Sequence, residues 1–413
     1  MRRSINPDGS SAVKRMILWS GVCIAALVLV WLLAWAVASR IEPAPRAMPD
    51  APPMPPSLPS SVAIAPRDEA LTFARFESEG KLRLLLVSDY ADDQAVGLDI
   101  TDRFPALAAD PIAVFRAVGY EALRTLQGAE VRVPAQALRV PFDGTAVQVA
   151  VGINYPAHGR EVGLDESFLF PKVTRPGHFL APVAARDALL DHELELGFVA
   201  LAPLRAGEPP RHVGLVLTCD YTDRARLMRR IELGRMASGR GFTEAKSAPD
   251  FMPVGNLFVI PSQPEAFYKS LRLRLWVNGQ LRQVAMPRLL VWDWPRMLKE
   301  TFERQSLRWD VNGQAVALPV DNGVVPAGTM FLSGTPDGVI FREPSPRQVF
   351  LGISELVFTL RWNDPQVVVE PLIRESYRSR EYLQPGDTVV MHADRLGVIR
   401  NTVVATAPVH SNY

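Results

Sequence analysis

The chain has 413 residues, 48% of them hydrophobic and 22% charged, enough for one or two folded domains with additional segments. Its 45 basic residues face 44 acidic ones, a net charge of +1, and nothing in it points to nucleic acid, which calls for a clustered basic excess. Two cysteines, Cys23 in an apolar run and Cys219 deep in the body, exclude a disulfide framework but leave the compartment open.

The first element is an uncharged run from Met16 to Ser39, 24 residues long. About 20 such residues cross the core of a bilayer as a helix. Arg2, Arg3, Lys14 and Arg15 precede it, and only Arg40 and Arg46 follow closely. The positive-inside rule keeps the N-terminus cytoplasmic and exports the rest. The alternative is a cleaved signal peptide ending at "AVAS", residues 36–39, although the apolar core exceeds the usual length. The expectation is a single-pass protein of the inner or plasma membrane, with its folded part periplasmic or otherwise extracytoplasmic. Residues 40–61 are rich in proline, favour polyproline II and predict a spacer of roughly 60 Å.

Folded sequence starts near residue 62. "LTFARFE" and "KLRLLLVSD" with "SEG" between them predict a hairpin. Residues 110–126 carry apolar side chains at helical spacing behind Asp110. "AVQVAVGINY" reads as a buried strand running into "PAHGRE". Short strands follow at "LELGFVAL", "HVGLVLTCDY", "NLFVIP", "LRLRLWVNG", "TMFLSG", "DTVVMHAD" and "GVIRNTVV", interrupted by helical stretches at 221–236 and 295–306. The pattern is α+β and mostly β, without a glycine-rich phosphate loop or dinucleotide fingerprint.

Several residues carry candidate chemistry. Alternate residues of a strand share a face, so Glu193 and Glu195 of "DHELEL" point together, roughly 7 Å apart. They can converge on one hard cation, or form the wet face of an amphipathic strand. Asp220 ends an apolar strand; it either caps the next helix or projects into a site. Lys246 sits in a polar loop. Thr335 lies in the glycine-flanked turn "SGTPDG", where backbone amides and a hydroxyl can approach an anion. His158 and Glu161 form an H-x-x-E pair between glycines.

In order along the chain, "GINYPAHGRE", "DHELEL", "LVLTCDYTDR", "AKSAPDFMPVG", "VNGQLRQ", "SGTPDGV" and "LQPGDTVVMHADRLGVIRN" resemble the fumarylacetoacetate hydrolase family, from about residue 130 to 405 and more faintly from 70. The resemblance implies a fumarylacetoacetase-type mixed β-sandwich roll. A small N-terminal α/β subdomain (62–145) would precede a catalytic domain (146–413), with inserts near 307–323 and 341–380. It further implies that Glu193, Glu195 and Asp220 bind Mg²⁺, or Mn²⁺ or Ca²⁺. Lys246 would stabilise negative charge, Arg224, Tyr155 and Thr335 would hold substrate, and His158 with Glu161 would form a general-base dyad on a lid. The implied reaction is hydrolytic or lyase cleavage of a C–C bond in a 2-oxo or 1,3-diketo acid. An isomerase, hydratase or oxaloacetate-type decarboxylase on the same scaffold is the alternative, as is a non-catalytic anchored binding module. The implied partners are a small keto acid, the membrane and a second copy in a homodimer. Where the family has "D-x-S/T-A-R-D-x-Q" the chain reads "DYTDRARL": Asp223, Ala225 and Leu227 depart, and Leu227 removes a substrate-facing amide.

Overall fold

The computed structural model describes residues 9–40 and 58–406, apart from 209, 233, 362 and 363. Arg2, Arg3 and most of the expected 40–61 spacer lie outside the described residues. Contacts divide the chain into two units. One holds the N-terminal helix and residues 344–372, and the other holds the remaining folded chain.

In the first unit, helix α1 spans Gly9–Ala38 and contains the apolar stretch Met16–Ala38, long enough to cross a membrane. One helix of this kind is compatible with an anchor or with a signal sequence.

The second unit starts with strands β1 (Ala70–Ser78), β2 (Lys81–Ala91) and β3 (Gln94–Asp99). Ser78 pairs with Lys81, so the hairpin closes through Glu79 and Gly80 alone, both at positive φ (52° and 70°). That backbone suits the twist of the strands it joins. The helical stretch at 110–126 is two helices, α2 (Pro111–Val118) and α3 (Tyr120–Arg124). Asp110 caps the first by accepting from the N–H groups of Ile112 and Ala113, and Gly119, at φ 84°, breaks the run. Strand β4 (Glu130–Pro134), strand β5 (Gln148–Gly152), helix α4 (Pro156–Val162) and strand β6 (Phe168–Lys172) follow.

Beyond these come β7 (Leu194–Val199), β8 (Gly214–Cys219), α5 (Arg224–Arg230), α6 (Phe242–Lys246), β9 (Phe258–Pro261), β10 (Leu273–Val277), β11 (Gln280–Ala285), α7 (Trp294–Glu303) and β12 (Met330–Leu332). The C-terminal part adds α8 (Pro346–Thr359), which belongs to the first unit, then a helix at Glu370–Ser379, and strands β13 (Thr388–Ala393) and β14 (Gly397–Val404). Helix α5 is shorter than the expected 221–236. Thr222 and Asp223 instead pair with Leu190 and Asp191, and Asp223 then caps α5 by accepting from the Arg226 N–H. The hairpin expected within 307–323 forms at Trp309–Val311 and Gln314–Val316.

One long sheet runs β4-β3-β2-β1-β9-β8-β7-β12-β5-β6, with Leu138–Arg139 added on β1. Its central strands β7 and β8 are buried along their whole length, Glu195 and Thr218 included. The strands of 62–145 thus continue the same sheet as those of 146–413. A second sheet, β11-β10-β13-β14 with Val183–Ala184, packs on β7 and β8. Leu194, Leu196, Phe198, Leu275, Met391 and Val398, from the strands of the two sheets, are fully buried. Each contributes about 1.5–3 kcal/mol by leaving water. The fold is a mixed α/β architecture around a large sheet, preceded by one apolar helix.

Candidate active site

The site forms where β7 and β8 begin and end side by side. Leu194 pairs with Cys219 and Glu195 with Thr218, and one step further the Asp220 N–H donates to the Glu193 carbonyl at 2.9 Å. Residues facing each other across an antiparallel pair share a face, as do alternate residues of one strand. Glu193, Glu195 and Asp220 therefore emerge together. Their carboxylates are buried, and one oxygen from each lies within 4.8 Å of the others.

Cationic side chains from three other elements surround them. Lys246, at the end of α6, places Nζ 2.7 Å from Glu193 Oε2 and 3.0 Å from Asp220 Oδ2, and also donates to Thr222 Oγ1 at 2.7 Å. Lys172, at the end of β6, donates to Asp220 Oδ1 at 2.5 Å and to the Lys246 carbonyl. Arg224, at the start of α5, donates to Glu193 Oε1 at 2.7 Å and to Asp191 Oδ2 at 2.8 Å, and stacks over Phe341 at 5.3 Å. Asp191 in turn accepts from the Ile340 and Phe341 N–H groups. Both arms of the Arg224 fork are occupied, so its guanidinium positions Glu193 as the site stands.

Burial and charge set the two glutamates apart. Burial alone pushes Glu193 up, but Lys246, Arg224 and His158 together hold it down at about 2. Glu195 lacks such partners. Burial, then the charges of Asp220 and Glu193, push it well above the usual carboxylate range, against the pull of Lys246 and the Gly334 N–H. For Lys246, burial lowers the pKa, yet Asp220 and Glu193 raise it further, so the ammonium stays charged. Burial dominates for Lys172 and lowers it.

The remaining residues converge from the turns. The Gly334 N–H donates to Glu195 Oε2 at 2.7 Å. Gly334 sits at φ 80°, and a Cβ there would come within 2.9 Å of Asn154 Cβ and the Val151 carbonyl, so only glycine admits this approach. Thr335 is buried; its Oγ1 accepts from Gln283 Nε2 at 2.9 Å, while Gln283 Oε1 accepts from the Leu194 N–H. Asn154 joins Trp292 and the Ser333 carbonyl through its side chain and fixes the entry to α4. Tyr155 precedes that helix. Its hydroxyl is buried without a hydrogen-bond partner, and burial, then Glu195, raise its pKa so that it stays a donor.

His158 and Glu161 lie three residues apart on α4, hence on one side of it. His158 is buried, and its Nδ1 is 3.1 Å from Glu161 Oε2, whose other oxygen accepts from the Gly338 N–H at 3.0 Å. A carboxylate that is ionised only accepts, so this contact suits the tautomer with the proton on Nδ1 and the Nε2 lone pair free.

Lys172, Asp191, Thr222, Gln283 and Asn154 were not singled out in the sequence, although all five are buried and hold the site together. The signal was available for Lys172 and Asp191: each is a charge at the end of an otherwise apolar strand. Leu227, in place of an amide, is buried on α5.

Three carboxylates at this spacing suit a divalent cation with hard oxygen ligands, and the unpaired Tyr155 hydroxyl leaves a donor for a ligand beside it. Among curated proteins none matches the chain. Among solved structures, fumarylacetoacetate hydrolase from psychrophilic Exiguobacterium antarcticum is similar, at 20% identity and a TM-score of 0.52 over 81% of this chain and 100% of that one. A protein from Mycobacterium smegmatis that carries the HpcE designation is similar at 18% identity and a TM-score of 0.51, over 81% of this chain and 99% of that one. These share the fold. The family profile for the fumarylacetoacetate (FAA) hydrolase C-terminal region matches residues 148–404, more than half of the sequence and all of the site described above. The chain belongs to the fumarylacetoacetate hydrolase family.

Proposed function

We propose that this protein is a divalent-metal-dependent enzyme that cleaves a C–C bond in a 2-oxo or 1,3-diketo acid by hydrolysis. The observation that carries this reading is the pairing of a buried acidic triad with a carboxylate-oriented imidazole in one unit. Glu193, Glu195 and Asp220 would hold Mg²⁺ or Mn²⁺. When bound, the cation supplies Lewis-acid polarisation of the substrate's oxygens.

The protein's own groups divide the remaining work. Tyr155 and Thr335 offer hydroxyls to the acid's oxygens. The Nε2 lone pair of His158 takes a proton from water, and Glu161 holds the ring in that tautomer and offsets its positive charge. The Lys246 ammonium stands ready to balance the negative charge that appears as the C–C bond breaks. Leu227 puts an apolar side chain where an amide is usual in the family, which suits a less polar acyl portion. On the positive-inside distribution of Arg2, Arg3, Lys14 and Arg15, we further propose that the catalytic unit faces the extracytoplasmic side.

The test is turnover by the full-length chain in detergent, with Mg²⁺ or Mn²⁺, over a panel of acylpyruvates and oxaloacetate. Diketone absorbance is expected to fall in step with release of a pyruvate-type acid, and His158→Asn to lower kcat by about 10²–10⁴-fold. Loss of absorbance without that acid would indicate isomerisation or hydration instead. Turnover unchanged in Glu193→Gln/Glu195→Gln would overturn the metal role.

A further inference from the structure

Helix α8 is the segment that the site does not use, and its surface is unusual for a water-exposed helix. Val349, Ile353 and Val357 recur every four residues and are exposed, as are Phe358 (71%) and Leu360 (72%) just beyond. Contiguous apolar exposure of this kind marks a surface with a partner. The adjoining side of α8 packs on α1 within its own unit. Phe350 lies 5.0 Å from the Trp31 ring and 5.6 Å from Trp35, and Phe358 lies 5.9 Å from Trp31. Gly352 allows the turn at Val368 to close against the helix, since any Cβ there would strike the Val368 carbonyl. The helix is therefore firmly formed, with a Ser345–Gln348 capping box at its start, and its stripe is left outward.

What covers the stripe follows from where α8 sits on α1. Trp31 and Trp35 belong to the last part of the span Met16–Ala38, about 10 Å or less from its end. Tryptophan favours that depth, where ring and headgroup meet. Arg347 lies over the Trp35 ring at 5.7 Å, a cation beside an interfacial aromatic. The length of α8, 14 residues or about 21 Å, is too short to cross a bilayer core of about 30 Å. Both ends of the 344–372 segment return to the other unit. The segment must therefore enter and leave on the same side of the membrane.

We propose that α8 is a second membrane-contacting element, lying in the leaflet interface beside the exit of α1 and presenting Val349, Ile353, Val357, Phe358 and Leu360 to lipid. The insert thus docks the enzyme on a phospholipid surface at a second place, in addition to the single span.

The test places an environment-sensitive nitrobenzoxadiazole label at Ile353→Cys in the full-length Cys23→Ser chain. Cys219 is buried and stays unlabelled. The protein is reconstituted into vesicles of phosphatidylcholine and phosphatidylglycerol containing lipids with a nitroxide high on the acyl chain. Leu27→Cys on α1 and the exposed Lys81→Cys serve as references, and Val357→Cys repeats the measurement one turn along should the first variant fold poorly. The expected result is blue-shifted emission at Ile353 and nitroxide quenching several-fold above that at Lys81, comparable to that at Leu27. Quenching no greater than at Lys81 while Leu27 is quenched would overturn the proposal. So would energy transfer between labelled copies without lipid quenching, which would make a second copy the occupant. An unquenched Leu27 would remove the span and the proposal with it.

Discussion

Lys246 is the residue on which the electrostatics of the site turn. Its ammonium lies between Glu193 and Asp220 and is buried with them. Removing one partner of a buried ion pair leaves uncompensated charge and costs about 3–5 kcal/mol. Lys246→Met is expected to lower the thermal midpoint of the metal-free protein accordingly, and Mg²⁺ or Mn²⁺ to restore much of the loss, since a cation can neutralise the same carboxylates. A melting curve that metal leaves unchanged would count against a shared role for lysine and cation. The raised pKa of Glu195 gives a second expectation. Its pKa is raised, so the group is protonated below that value, whereas a metal ligand must be ionised. Metal affinity should therefore fall as pH falls through the Glu195 pKa, and below that pKa binding should release a proton. Calorimetry in buffers of different ionisation heat measures that release, and its absence would show that Glu195 is ionised beforehand. That Glu193 and Glu195 share a face is legible in the sequence because strand alternation fixes it, whereas Asp220 joins them through the register of β7 on β8, which the residues alone left open. For Lys172 only half of the signal lies in the sequence: a charge ends an apolar strand, but whether it is solvated or buried depends on which element covers it, and α6 begins 70 residues further on, at Phe242.

At the scale of elements, local chemistry decided most boundaries. The β1–β2 hairpin, the cap at Asp110 and the 309–316 hairpin all follow from residues adjacent in sequence. Helix α5 shows where that legibility ends. Periodicity extends the helix back to residue 221, but Thr222 and Asp223 pair with Leu190 and Asp191, a contact that no local pattern announces. The departure from the family's small residue at position 223 then has a physical reason, because the Asp223 carboxylate caps α5 through the Arg226 N–H at 3.0 Å. Asp223→Ala is expected to cost about 1 kcal/mol, read as a lowered thermal midpoint. It should also weaken catalysis modestly, since α5 begins with Arg224 and Arg224 holds Glu193. Asp223→Ser, which can still cap, should recover both; failure to recover would mean that the carboxylate acts through charge and not as a cap. The 341–380 insert was legible only as an interruption, because nothing in a lone segment says which surface its apolar residues meet.

For the whole molecule the governing quantity is the free energy of placing α1. The stretch Met16–Ala38 is uncharged, and little of it is buried by the rest of the protein. Each large apolar side chain left in water forfeits about 1.5–3 kcal/mol relative to burial, so this helix, if it is retained, favours a bilayer over water. The proposed orientation rests on Arg2, Arg3, Lys14 and Arg15, which would resist translocation, with no comparable cluster after residue 39. The expected outcome is membrane-bound protein of the full 413-residue mass that survives an alkaline carbonate wash. A C-terminal reporter phosphatase that matures only under oxidising conditions should then be active. A soluble product shortened at Ser39 would instead identify a cleaved signal, with export retained but the anchor lost. Membrane-bound protein with an inactive reporter would reverse the orientation and put the site in the cytoplasm. These outcomes separate because carbonate resistance reads insertion, intact mass reads cleavage and the reporter reads sidedness, each independently of turnover.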